Sequence, residues 1–171
     1  GVDEFDHEGR TMILTFPEFM LINIYYPNGG SGEERLDFKL RFYEAFHDLV
    51  RGLDREGIPL VICGDVNTAH KEIDLARPKE NENTSGFMPI ERAFLDRFTA
   101  SGFIDTFRLF HDEPEQYTWW DMKTRARDRN IGWRIDYFFV NQLVLPRVKD
   151  AWIKMDVPGS DHCPVGLTLD Y

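Results

Sequence analysis

The stretch Ile58–Asn67, IPLVICGDVN, constrains this chain more than any other. Apolar residues run from Ile58 to Cys63 without the alternation of a half-exposed strand, so the pattern predicts a strand covered on both faces. Such a strand needs a packing layer on each side, which makes the chain a layered α/β protein. Gly64 ends the run, and a carboxylate (Asp65) and an amide (Asn67) follow at once.

The segments around it agree with layers. Arg10–Phe16 and Phe19–Tyr26 read as two strands joined at Pro17-Glu18. Ser31-Gly32-Glu33-Glu34 has capping-box spacing. Behind it, Leu36, Leu40, Tyr43, Phe46, Val50 and Leu53 recur at helical intervals until Gly57. The polar stretch from Asn67 to Pro89 lacks periodicity, and a loop of that length is usually functional. A second helix is expected over about 90–101, then strands at Arg134–Val140, Ala151–Asp156 and Val165–Tyr171. Helices and strands mixed in this order predict an α/β sandwich.

With 171 residues and 42% hydrophobic residues the chain is long enough for one domain with its own core, residues 1–171. No apolar run approaches the ~20 residues of a membrane-spanning helix, so no membrane role is expected. Cys63 and Cys163 cannot form a disulfide framework and read as reduced thiols of an intracellular protein. The net charge of −10 argues against a nucleic-acid partner when taken alone. Its distribution argues otherwise, because Lys123–Arg134 holds five basic residues and one acid.

Three strands end in, or pass through, carboxylates: Asp65 with Asn67, Asp136 between Ile135 and Tyr137, and Asp161-His162 before the last strand. Each has an ordinary reading. Asp-x-Asn after a strand makes Asx-turns and caps, an Asp in a strand can pair with Arg134, and a lone His is commonly a structural hydrogen-bonding group. Their coincidence in one chain favours chemistry, since strand ends are where a rigid sheet can present polar groups. Phosphodiester hydrolysis uses this set of groups. Asp65 suits a base for water, and Asn67 a donor that orients Asp65 and binds phosphate. His162, kept cationic by Asp136, suits a stabiliser of charge on the phosphorus oxygens. Asp161 is a hard oxygen ligand for Mg2+ or Mn2+.

The motifs INIYYPNG (22–29), GDVNTAHKEIDLARPK (64–79), GWRIDYFFV (132–140) and GSDHCPVGL (159–167), with YTWW at 117–120, resemble exonuclease III-type apurinic/apyrimidinic endonucleases of the endonuclease/exonuclease/phosphatase superfamily. The resemblance runs from Gly9-Arg10 to the C-terminus. It implies a Mg2+-dependent DNA-repair nuclease, with Mn2+ as a substitute, that cuts duplex DNA 5′ to abasic sites and trims blocked 3′ ends. That activity would be located with DNA, in a prokaryotic cytoplasm or a nucleus. By the same resemblance Asp65, Asn67, His162, Asp136 and Tyr25 are catalytic, and Asp161 lies near the metal. Asn28 and Asn81 would contact the DNA backbone, while Trp119, Trp133 and Ile135 would form a pocket for a flipped-out abasic sugar. Lys123, Arg125 and Arg127, within the Lys123–Arg134 run, would track phosphates.

One departure carries its own expectation. The family's N-terminal Asn-x-Asn-Gly-x-Arg and Gln-Glu-x-Lys motifs do not occur here. The chain is therefore expected to be the C-terminal two thirds of a four-layer α/β sandwich, two mixed and mainly antiparallel sheets flanked by helices. It would need its N-terminal part as a partner for full metal binding and cleavage.

Overall fold

A computed structural model describes residues 1–171. The helices are α1 (Asp3–Asp6), α2 (Glu33–Arg55), α3 (Pro78–Asn81) and α4 (Pro89–Ala100). The strands are β1 (Thr11–Thr15), β2 (Met20–Ile24), β3 (Leu60–Asp65), β4 (Ile104–Asp105), β5 (Trp119–Trp120), β6 (Gly132–Trp133), β7 (Asp136–Val140), β8 (Val148–Ile153) and β9 (Val165–Leu169). A five-stranded sheet has the order β1-β2-β3-β7-β4, and β5-β6 and β8-β9 form two-stranded sheets. β1 and β2 make the expected antiparallel pair, while β2 and β3 run parallel across the α2 crossover.

The continuous apolar run of β3 is covered on both faces. Leu60 and Ile62, with Tyr137 and Phe139 of β7, face Phe42, Tyr43 and Phe46 of α2 and Phe94 and Phe98 of α4. Val61 and Val140 face the other way, towards Val148, Leu167 and Leu169 of the β8-β9 hairpin. Two helices, a central sheet and a second sheet are thus stacked in three layers, with β3 and β7 at the centre. The edge strand β1 is exposed along its whole length.

One local expectation changes, and one glycine has a structural reason. The start of α2 has no side-chain cap: Gly32 is the N-cap, with φ +116°, so the Ser31-x-x-Glu34 spacing makes no capping box. Gly64 is required by its neighbour strand. Its φ is +133°, and a Cβ there would come within 1.9 Å of the Ile24 carbonyl oxygen of β2.

Behind β7 a charged cluster is sealed in the fold. The Arg134 guanidinium, 1% exposed, reaches Asp74 Oδ1 at 2.8 Å and both Asp105 oxygens at 2.6 and 3.2 Å. Arg108 also donates to Asp74 Oδ1, at 2.6 Å. Burial raises the Asp74 carboxyl's pKa, but Arg134 and Arg108 outweigh it and pull the group down from 3.8 to about 2. A depressed carboxylate contributes stability that is present above its unfolded value and lost as pH falls through the folded one. Acid titration from pH 4 to 2 is therefore expected to remove about 2 kcal/mol. Urea denaturation at each pH measures this, and Asp74→Asn should flatten that part of the profile.

Candidate active site

A cleft of about 270 Å³ opens where β3, β7 and the turn before β9 meet. Its position follows from the sheet. β3 and β7 are antiparallel, and their register sets Asp65 directly opposite Asp136. Like charges facing each other across strands cost stability, so the pair points to chemistry rather than packing.

The two carboxylates are held differently. The Asn67 backbone N–H donates to Asp65 Oδ1 at 2.7 Å, and the Asn67 amide donates to Asp65 Oδ2 at 3.1 Å. The same amide donates to the Tyr26 carbonyl at 2.9 Å, while Asn28 donates to Asn67 Oδ1 at 3.1 Å. Both Asn67 amide hydrogens are therefore engaged within the chain, which favours the orienting half of its expected role over the phosphate-binding half. Asn67 sits in the left-handed region at φ +51°, the conformation that lets the chain turn back so tightly. Burial, reinforced by the Asp136 charge, pushes the Asp65 carboxyl up to about 7, against the pull of the Asn67 N–H, His162 and Lys39. A carboxyl poised there suits proton transfer near neutral pH.

Asp136 turns to His162 rather than to Arg134, with Oδ2 2.8 Å from Nδ1. Its backbone N–H, and that of Ile135, donate to the buried Thr118 Oγ1 at 3.1 and 3.0 Å. Burial alone would lower the His162 pKa, but the Asp136 hydrogen bond and charge outweigh it and raise the group, favouring imidazolium. Asp161 accepts the Trp119 indole N–H on Oδ2 at 3.1 Å and the Ser160 hydroxyl on Oδ1 at 3.2 Å. These contacts hold it below the usual carboxylate range despite the desolvation it suffers.

Tyr25, Asn28, Trp119, Trp133 and Ile135 also line this cleft. The Trp119 and Trp133 rings meet edge to face, 6.5 Å between centroids, through the β5-β6 pairing. Thr84-Ser85-Gly86 line the cleft as well, with Gly86 close against the Trp133 ring, and no sequence signal pointed to them because loop residues carry no periodicity. Trp120 is only 2% exposed and belongs to a small core beneath.

Other expected residues lie elsewhere. Asn81 is outside the cleft and donates to the Ala76 and Arg77 carbonyls. Arg127 is engaged by the carbonyls of Ser160, Met155 and Val157 and stacks over Trp120, so the phosphate role is withdrawn for it. Arg134, in the buried cluster, leaves the basic run as well. Lys123 and Arg125 remain exposed, Arg125 beside Asp128. No three His, Cys, Asp or Glu side chains converge in a metal-binding group. Asp161 is a single hard donor, so the residues of this chain do not make up a metal site by themselves.

The Endonuclease/Exonuclease/phosphatase family model matches residues 2–162. An exodeoxyribonuclease of Bacillus subtilis is 45% identical over 171 residues, covering 99% of this chain and 68% of that protein. The DNA repair nuclease APEX1 of Danio rerio is 43% identical over 170 residues, covering 99% of this chain and 54% of its own length. Among solved structures, an AP endonuclease from Archaeoglobus fulgidus superposes with a TM-score of 0.88 at 26% identity, over 96% of this chain and 66% of that one. The chain thus spans between about half and two thirds of these proteins.

Proposed function

The chain belongs to the endonuclease/exonuclease/phosphatase family, and from that premise we propose that it is the catalytic portion of an exonuclease III-type DNA-repair nuclease. Its reaction is hydrolysis of the DNA phosphodiester 5′ to an abasic site, together with trimming of blocked 3′ ends. The observation that carries this reading is the cleft itself. Asp65 and His162, the latter backed by Asp136, share it with an edge-to-face tryptophan pocket.

Asp65, pinned by Asn67, takes a proton from the attacking water, whose oxygen bonds to phosphorus as the P–O3′ bond breaks and the departing 3′ oxygen takes a proton from solvent. The His162 imidazolium donates to a non-bridging phosphate oxygen, where negative charge grows in the transition state. Asp136 keeps that imidazole oriented and charged. Tyr25, which lines the cleft half exposed with Arg10 stacked on its ring, donates its hydroxyl to the same phosphate in this proposal. Trp119, Trp133 and Ile135 exclude a stacked base and accept a bare sugar. Lys123 and Arg125 supply diffuse attraction for the backbone. Mg2+, with Mn2+ as a substitute, is the ion proposed for Asp161, its remaining ligands coming from outside residues 1–171. The exposed β1 edge is the surface proposed for the N-terminal part of the domain. None of the steps assigned to this chain's residues passes through the ion.

The test is incision of a duplex carrying one abasic analogue, with Mg2+, by the protein expressed from its full reading frame. Cleavage 5′ to the analogue is expected, with intact duplex cut far more slowly; no cleavage overturns the assignment. Trp133→Ala should narrow the preference for the abasic duplex by about tenfold, as roughly 1.5 kcal/mol of apolar contact with the sugar is lost. An unchanged preference would remove Trp133 from the pocket.

A further inference from the structure

Lys39 of α2 and Glu91 of α4 form an ion pair with no exposed side-chain surface, 2.6 Å apart. The Lys39 Nζ also donates to the Asn67 carbonyl at 2.8 Å. Glu91 Oε2 accepts the N–H groups of Gly86 and Met88 at 2.6 and 3.0 Å, and Oε1 accepts the Ser85 hydroxyl at 3.0 Å. Capping of α4 explains the Met88 bond alone. The others all lead to the two loops that make the cleft. The Ala69 N–H donates to the Gly86 carbonyl at 2.8 Å, completing a closed path from Asn67 to the pocket wall. Space there is tight: a Cβ on Gly86 would come within 3.1 Å of both the Asn67 carbonyl oxygen and the Trp133 ring.

Buried ion pairs seldom stabilise a fold more than apolar side chains of the same size would. Their value is geometric, because a charge with a fixed set of partners tolerates only one arrangement. We propose that Lys39 and Glu91 are positioning residues that join the Asn67 turn to the Ser85–Gly86 wall, and so set the distance between the hydrolytic groups and the abasic pocket. The proposal rests on the nuclease reading for its catalytic consequence, but not for its structural one.

The experiment compares the full-length protein with Lys39→Met/Glu91→Gln. This neutral pair keeps an acceptor for the Gly86 and Met88 amides, while it removes the ion pair and the Lys39 bond to the Asn67 carbonyl. A cooperative thermal transition is expected to persist. On the abasic duplex kcat should fall on the order of tenfold or more while KM changes little, as small misplacements of reacting groups cost rate rather than binding. Lys39→Arg, which keeps a cationic donor, should recover most of the loss. Hydrogen exchange at the Ala69 amide should accelerate in the double variant, a readout independent of activity. Should that pair fail to fold, Lys39→Gln/Glu91→Gln, which keeps hydrogen-bonding groups at both positions, carries the same expectations. A folded double variant with unchanged kcat and unchanged Ala69 exchange overturns the proposal. If the wild-type protein does not cut abasic DNA, the nuclease reading falls, and Ala69 exchange alone decides for or against the clamp.

Discussion

Asp65→Asn is expected to lower the rate of abasic-site incision by about a hundredfold or more, the contribution of a positioned general base. The amide matches the carboxylate in size and still accepts the Asn67 N–H, so the loss reflects chemistry and not collapse. Stability should move in the opposite direction. The Asp65 carboxyl is pushed up from 3.8 to about 7 by burial and by Asp136. A raised carboxyl favours the unfolded chain wherever that chain is ionised, so above pH 4 Asp65 is a burden on the fold. Removing it should raise the melting temperature by roughly 2–4 °C per kcal/mol relieved, measured without divalent metal. A variant both slower and more stable is the signature of a residue kept for function. Unchanged incision would sink the assignment of Asp65, and a lower melting temperature would show the carboxylate to be structural.

Arg134→Met should be the most damaging single substitution away from the cleft. It leaves Asp74, 1% exposed, with only Arg108 as a charged partner, and it strips Asp105 of its two-pronged contact. Breaking a buried pair from one side costs about 3–5 kcal/mol, because the remaining charge stays desolvated. Urea denaturation measures the loss, and Arg134→Lys should fall between the two, since an ammonium cannot match both oxygens of Asp105. A loss below about 1 kcal/mol would mean that water or rearrangement replaces the guanidinium. Incision is expected to suffer in step with folding, because Arg134 immediately precedes Ile135 of the cleft and Asp136, the partner of His162.

Much of the layered core was legible because its signals are periodic. The three- and four-residue spacing from Leu36 to Leu53 became α2, and the unbroken run of β3 proved to be covered on both faces. Asp65, Asp136 and His162 were legible by their placement at the ends of apolar segments. Arg127 and Arg134 were misread for a definite reason. A run of basic residues says nothing about where each side chain turns, and local helical turns and strand register sent these two inward. Ser31 was misread as a cap because spacing alone cannot reveal that Gly32 turns at φ +116°.

By itself the sequence determined the layers, the family resemblance and the candidates proposed for hydrolysis, since these depend on residue type and on near-neighbour order. Only the tertiary structure decided which groups meet. The register of β3 against β7 set Asp65 opposite Asp136, and the turn before β9 brought His162 within 2.8 Å of it. The Lys39–Glu91 link, between residues 52 positions apart in the chain, was likewise hidden until α2 and α4 packed together. Contacts of that separation depend on how whole elements pack, and that is settled by burial of the shared core rather than by any local pattern.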